Sequence, residues 1–182
     1  MIYAALLKGI NVGGQKRIKM ADLVTVCEEL NFINITTYLQ SGNIIFEYEA
    51  DDSELLEDKI KIAILEKYGF EVDSIIRTAD ELEKIVSGNP LAEKPGIDVE
   101  KLHVTFLQYR PEKAILESLK MNREENEIYE IKNREIYLYC PNGYGVTKLS
   151  NQAFEKKLKT IATTRNWNSV LAILKIAEDK RR

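Results

Sequence analysis

Histidine, cysteine, tryptophan and proline are all scarce in this chain: one His, two Cys, one Trp and four Pro among 182 residues. The single histidine, His103, excludes multi-histidine zinc and iron centres. Cys27 and Cys140 stand far apart with no CxxC, which excludes a disulfide scaffold and leaves two free, buried thiols as the expectation for a reducing cytosol. A Cys140–His103 nucleophile pair is the one such arrangement the composition allows, and nothing in the sequence makes the two neighbours. The nine glycines and four prolines are too few for a fibrous or low-complexity chain. Long apolar runs are missing as well. The longest, Ile2 to Leu7, stops at Lys8, too short for a membrane span or a signal-peptide core, so a soluble cytoplasmic protein is expected, needing no metal and no cofactor.

What is present suits one large domain or two small ones. Apolar residues make up 45% and charged ones 30% of the chain, enough to bury a real core. Ile2 to Leu7 is apolar throughout, as in a strand buried on both faces. Met20, Leu23, Val24, Cys27 and Leu30 then recur at helical spacing. Ile35 to Gln40 and Ile44 to Tyr48 read as strands joined by a turn at Ser41-Gly42-Asn43. Asp52 and Ser53 offer N-caps to a helix striped by Leu56, Ile60, Ala63 and Ile64, and Val72 to Ile76 reads as a strand. This is the βαββαβ order of a ferredoxin-like unit.

A second round follows. Thr78-Ala79-Asp80-Glu81 is a capping box, and Gly88-Asn89-Pro90 stops the helix it opens. His103 to Tyr109 reads as a strand, and Pro111 as N1 of a helix carrying Ile115, Leu116 and Leu119. Glu127 to Ile131 and Glu135 to Cys140 form a hairpin about Lys132-Asn133. Phe154, Leu158 and Ile161 mark a helix. A last helix, opened by Thr163 to Asn168 with Thr164 or Asn166 as N-cap, carries Trp167, Val170, Leu171, Leu174 and Ala177. The expectation is an α+β fold of two ferredoxin-like βαββα(β) halves with mainly antiparallel sheets. The halves are residues 1–77 and 78–182, the second with an extra terminal helix, packed as one body.

Four stretches in order, Gly9-Ile10-Asn11-Val12-Gly13-Gly14, Gln40-Ser41-Gly42-Asn43, Asn89-Pro90 and Thr164-Arg165-Asn166-Trp167-Asn168, make the chain resemble the bacterial domain-of-unknown-function family 1697. The resemblance spans nearly the whole chain. It implies an α+β fold with ferredoxin-like halves and brings no activity with it.

Charge is distributed unevenly. Residues 8–19 hold four basic residues and no acid, residues 144–182 nine basic and three acidic, and residues 20–143 thirteen basic against 26 acidic. The C-terminal island reads mainly as a solvated face with a frayed tail at Lys180 to Arg182. The loop from Gly9 to Arg17 is sharper. It joins a strand to a helix, and Gly9, Gly13 and Gly14 can free backbone N–H groups to converge on an anion while Lys16 and Arg17 add charge. It lacks the Walker ending and the GxGxxG fingerprint, so a tight turn is the plain alternative. In a βαββαβ sheet this loop and the turn at Ser41 to Asn43 emerge at the same end. A phosphate-bearing ligand is therefore expected on Gly9, Asn11, Gly13, Gly14, Lys16, Arg17, Ser41 and Asn43.

Arg165 and Asn168 are further candidates, since a guanidinium plane can stack on a base, whereas Trp167 belongs to the apolar stripe. The loop Pro141 to Gly145 with Thr147 and Lys148 is a weaker second glycine loop. An RNA-reading sheet face is excluded, because Ile44 to Tyr48 lacks the basic-Gly-aromatic pattern. The leading expectation is non-catalytic binding of a nucleotide or nucleic acid away from any membrane. The alternative is a small-molecule enzyme of phosphotransfer or hydrolytic type, which needs carboxylates beside the glycine loop; Asp22, Asp51 and Asp52 sit at element ends without a motif. An interaction module or dimer subunit has no specific feature in its favour.

Overall fold

The computed structural model describes residues 1–49 and 52–181; Asp51 and Arg182, both named above, lie outside the described residues. The elements run β1 (Ile2–Leu7), α1 (Met20–Glu29), β2 (Ile33–Tyr38), β3 (Asn43–Glu47), α2 (Ser53–Tyr68), β4 (Ser74–Thr78) and α3 (Ala79–Ser87). The same order then returns as β5 (Leu102–Leu107), α4 (Lys113–Ser118), β6 (Ile128–Lys132), β7 (Glu135–Tyr139), α5 (Asn151–Leu158), β8 (Ala162–Asn166) and α6 (Trp167–Asp179). The strands make two antiparallel four-stranded sheets of order β2-β3-β1-β4 and β6-β7-β5-β8. The fold is α+β, with the ferredoxin-like order built twice. Two compact units result: Met1–Lys84 with Ala172–Arg182, and Ile85–Leu171.

In the first unit Tyr3, Ala5 and Leu7 face the core with Ile44, Phe46 and Ile76. Leu23 and Cys27 of α1 and Leu56, Ile60 and Ile64 of α2 belong to the same cluster. Phe32 stacks on Phe46 with centroids 4.1 Å apart. Ala4 and Leu6, on the other side of β1, are fully buried too, which is why the strand carries no alternation. Asp52 caps α2 by accepting from the Leu55 N–H at 3.0 Å. Gly69 ends that helix at φ 75°, returning its N–H to the Leu65 carbonyl. The capping box at α3 is reciprocal: the Thr78 N–H donates to Glu81 Oε2 at 2.8 Å and the Glu81 N–H to Thr78 Oγ1 at 3.2 Å.

The second unit repeats the plan. Leu107, Ile136, Leu138, Phe154, Leu158 and Ala162 share one core, and Tyr129 packs edge-on against Phe154. Ser150 caps α5 through the Ala153 N–H. In both units a helix glutamate accepts a backbone N–H of the edge strand, Glu57 from Ile76 at 2.9 Å and Glu155 from Ala162 at 2.8 Å, which occupies donors an open edge would present.

Several sequence expectations are corrected. Thr163 to Asn166 lies outside the last helix, which starts only at Trp167: Ala162–Asn166 is β8, paired with β5 from His103↔Asn166 to Leu107↔Ala162. Its β-branched threonines suit a pleated edge strand. Asn166 is the N-cap of α6, its Oδ1 accepting from the Ser169 N–H at 2.8 Å, and Thr164 lies inside the strand. Pro111 stands before the N-cap Glu112 rather than at N1. Ile161 falls beyond α5, which closes at Lys159 in a left-handed conformation. Lys180 and Arg181 are not frayed: Lys180 Nζ donates to Asn34 Oδ1 at 3.1 Å, and Arg181 pairs with Asp80 and Glu83. Among the described residues no helix is long and apolar enough to cross a membrane.

Gly42 and Gly69 separate two reasons for glycine. Both have positive φ, but a Cβ at Gly42 would meet Ile10 Cδ1 at 2.6 Å and Leu7 Cβ at 3.0 Å, whereas one at Gly69 meets nothing within 4 Å. Gly69→Ala is expected to cost about 1 kcal/mol, and Gly42→Ala about 3 kcal/mol because crowding adds to strain. Urea unfolding of the two variants checks the difference.

Candidate functional site

At the C-terminal end of β1 the strand delivers its chain directly onto the β2–β3 turn. Leu6 stands opposite Asn43, and the Leu7 N–H donates to the Gly42 carbonyl at 2.9 Å. The loop after β1 then rises into a small finger. Val12 and Gln15 form an antiparallel bridge about Gly13 and Gly14, whose φ values of 58° and 77° are those a two-residue primed hairpin turn demands. The turn's bond, Gln15 N–H to Val12 C=O at 3.1 Å, uses neither the Gly13 nor the Gly14 N–H. Gly9 precedes the finger at φ 67°.

Asn11 clamps the base of the finger. Its Nδ2 donates to the carbonyls of Ile18 at 2.9 Å and Gln40 at 2.8 Å, and its Oδ1 accepts from the Ile18 N–H at 3.0 Å. The two loops are thus stitched together by one amide. Asn43 is buried and donates to the Tyr38 carbonyl at 2.7 Å and to Ser41 Oγ at 3.2 Å, so this pair shapes the turn. Lys16 Nζ donates to the Glu71 carbonyl at 2.7 Å, which directs its charge to the β4 side of the loop.

Beside this junction lies an open depression of about 540 Å³, lined by Asn11, Gly14, Arg17 and Gln40 together with Ile18, Lys19 and Asp22. Arg17 and Lys19 are exposed cations; Asp22 is the carboxylate of the lining. Lys19 is the N-cap of α1 and makes no side-chain capping bond, so the first-turn N–H groups of this helix carry its positive end toward the lining residues without a side-chain cap. Sequence reasoning missed Lys19 and Asp22 because it stopped the loop at Arg17; the start of the helical stripe at Met20 was the signal that the next turn would share the rim.

Arg165 and Asn168 belong to the second unit and form no part of this depression. Arg165 is buried in β8, donating to Thr163 Oγ1 at 2.9 Å and to the Thr164 carbonyl at 3.0 Å. Burial lowers its pKa to about 10, and its guanidinium fastens the strand rather than lying open as a stacking plane. Asn168 is exposed on the first turn of α6, and Trp167 is buried. The weaker glycine loop is held down by Tyr144, whose hydroxyl donates to Thr164 Oγ1 at 2.9 Å while its ring stacks on His103. Thr164 in turn donates to Asn151 Oδ1 and meets Thr105 Oγ1 at 2.6 Å. Cys140 hydrogen-bonds Thr147, and burial lifts its thiol to about 11, the opposite of what a nucleophile needs. Desolvation depresses His103. Among the described residues no group of three or more His, Cys, Asp or Glu is placed to hold a metal ion.

Residues 1–137 match the family described as Protein of unknown function (DUF1697), and the chain belongs to that family. Its fold is similar to that of SP0830, a conserved bacterial protein from Streptococcus pneumoniae, with a TM-score of 0.70 at 22% identity over 97% of this chain and 98% of the other. No curated protein matches the chain.

Two outcomes follow from the local chemistry. Asn11→Ala leaves the Ile18 N–H and two carbonyls without their partner and is expected to cost about 2 kcal/mol, read by chemical denaturation. Both cysteines are free and buried, and burial also raises Cys27, to about 12. At pH 8 each is therefore almost wholly thiol, so a disulfide reagent is expected to find two thiols per chain only after denaturation.

Proposed function

We propose that the depression between the β1–α1 loop and the β2–β3 turn binds the phosphate of a nucleotide or nucleic acid, and that the protein acts by binding rather than by catalysis. The observation that carries this reading is the composition of one wall: Arg17, Lys19 and the N-terminus of α1 without a side-chain cap, all around one opening. Helix N-termini favour anions through their outward N–H groups and partial positive charge. Two exposed cations add an attraction that salt screens. Gly14 leaves the approach low, and Gln40 is a further polar residue of the lining. Asp22 opposes an anion, and the two cations outweigh it.

The placement of Lys16 refines the expectation. Its amine is engaged by the Glu71 carbonyl, so Arg17 and Lys19 are the groups that face a ligand. Arg17→Ala with Lys19→Ala is expected to weaken binding of ATP, or of a labelled oligonucleotide, by at least about tenfold, because each charge-assisted contact supplies roughly 1.5–3 kcal/mol. For an oligonucleotide the slope of affinity against salt is expected to fall by about 1.4 units. Lys16→Ala is expected to change either quantity less. Calorimetry and fluorescence anisotropy at graded salt read both; a double variant that binds as tightly as the parent, or a parent that binds neither probe, overturns the reading.

A further inference from the structure

We infer that the depression takes a free ribonucleotide and that Asp22 reads its sugar: the carboxylate accepts the two neighbouring hydroxyls of the ribose while Arg17, Lys19 and the start of α1 hold the phosphate. This rests on the reading of the depression as a phosphate site, and narrows its ligand from nucleotide or nucleic acid to a nucleotide with an intact diol.

Most polar side chains at this junction are already spent on the protein itself, Asn11, Lys16 and Asn43 on backbone carbonyls and Ser41 on Asn43. Four are not. Arg17, Lys19, Asp22 and Gln40 are exposed, and among the described residues their side chains have no hydrogen-bond or ion-pair partner. All four line the one depression. Two cations and a carboxylate around a single opening neutralise one another if they touch; here the fold holds them apart. An opening so lined suits a ligand that carries both an anion and hydrogen-bond donors.

Asp22 is the third residue after Lys19, the N-cap of α1. A carboxylate at this position can turn back to the N–H of its own N-cap, as Glu81 does for Thr78 at 2.8 Å in α3. Asp22 makes no such bond, so capping does not occupy it. It lies about 4.5 Å from Lys19 along the helix axis. A phosphate at the α1 N-terminus therefore brings the sugar that bears it within reach of Asp22, and leaves the base edge beyond.

A carboxylate repels a phosphate at that range, and a donor on the ligand offsets the repulsion. The ribose diol offers two O–H groups side by side, and a carboxylate offers two acceptor oxygens. DNA lacks the diol, and inside an RNA chain one of its oxygens is esterified, so a free ribonucleotide is the form that presents it. The volume agrees: about 540 Å³ falls within the roughly 300–1,000 Å³ of sites for one small molecule.

The test is calorimetry on the full chain in magnesium-free buffer with EDTA, using ATP, dATP, inorganic tripolyphosphate and a uridine pentanucleotide. The parent protein is expected to prefer ATP to dATP by about tenfold, the worth of one hydrogen bond to a charged group. Asp22→Ala is expected to abolish that preference while tightening tripolyphosphate by about threefold, since one repulsion is removed. Arg17→Ala with Lys19→Ala is expected to weaken ATP and dATP by the same factor and keep the preference. A parent that binds ATP and dATP equally overturns the inference and leaves the phosphate site standing, and this comparison needs no variant to fold. Asp22→Ala tightening ATP and tripolyphosphate alike overturns it too, because the carboxylate then acts through charge alone. A pentanucleotide bound more tightly than ATP overturns the free nucleotide as ligand. A parent that binds none of the four overturns the phosphate site itself.

Discussion

Gly42 is the point on which the loop end of the first unit turns. Its positive φ lets the β2–β3 hairpin close, and its missing Cβ leaves the space that Ile10 fills. With Ile10 seated, the chain leaving β1 is held against the turn, and Asn11 comes within reach of Gln40. Asn11 then binds Ile18 from both sides of its amide and so sets where α1 begins. The finger, the cations and the helix end follow from that seat. Polar groups that look available for a ligand in a list of residues, Asn11, Ser41 and Asn43 among them, are consumed in making it. What remains for a ligand is the part the clamp pushes outward.

The sheets show how one plan serves two sequences with little in common. Arg77 lies opposite Ala4 in the first sheet, and Arg165 opposite Val104 in the second; both arginines are buried one residue before the strand ends. The next residue caps the following helix in each case, Thr78 through the Glu81 N–H and Asn166 through the Ser169 N–H. Burying a guanidinium is costly unless its donors are satisfied, and each of these donates at least one bond to the backbone of its own strand. Such a feature recurring at the same register is a stronger sign of internal repetition than composition, because it reflects a demand of the position.

Most of the framework was legible because its signals are local. The unbroken apolar run of β1, the helical spacing from Met20, the Asp52 cap and the Thr78–Glu81 box each name an element without reference to anything distant. The strand β8 was hidden because Ala162 to Asn166 has four polar residues in a row, which reads as a cap region; only the partnership with β5 makes it a strand. The repeat itself held the missing clue, since a strand following α2 calls for one following α5. The candidate rim was legible in part. Topology placed the two loops together, but side-chain direction was beyond reach: Lys16 reaches Glu71, 55 positions away, while Lys19, at a helix start, faces the opening.

The first unit draws its final stretch, Ala172 onward, from the far end of the chain. Synthesis on the ribosome proceeds from the N-terminus, so every residue of the second unit emerges before that stretch does. The Lys180–Asn34 bond spans 146 positions, and Arg181 reaches Asp80 and Glu83 across about a hundred. Long loops slow the closing of such contacts. The unit whose sequence is made first is therefore the one completed last, and the second unit has the whole of its chain available while the first is still waiting for its end.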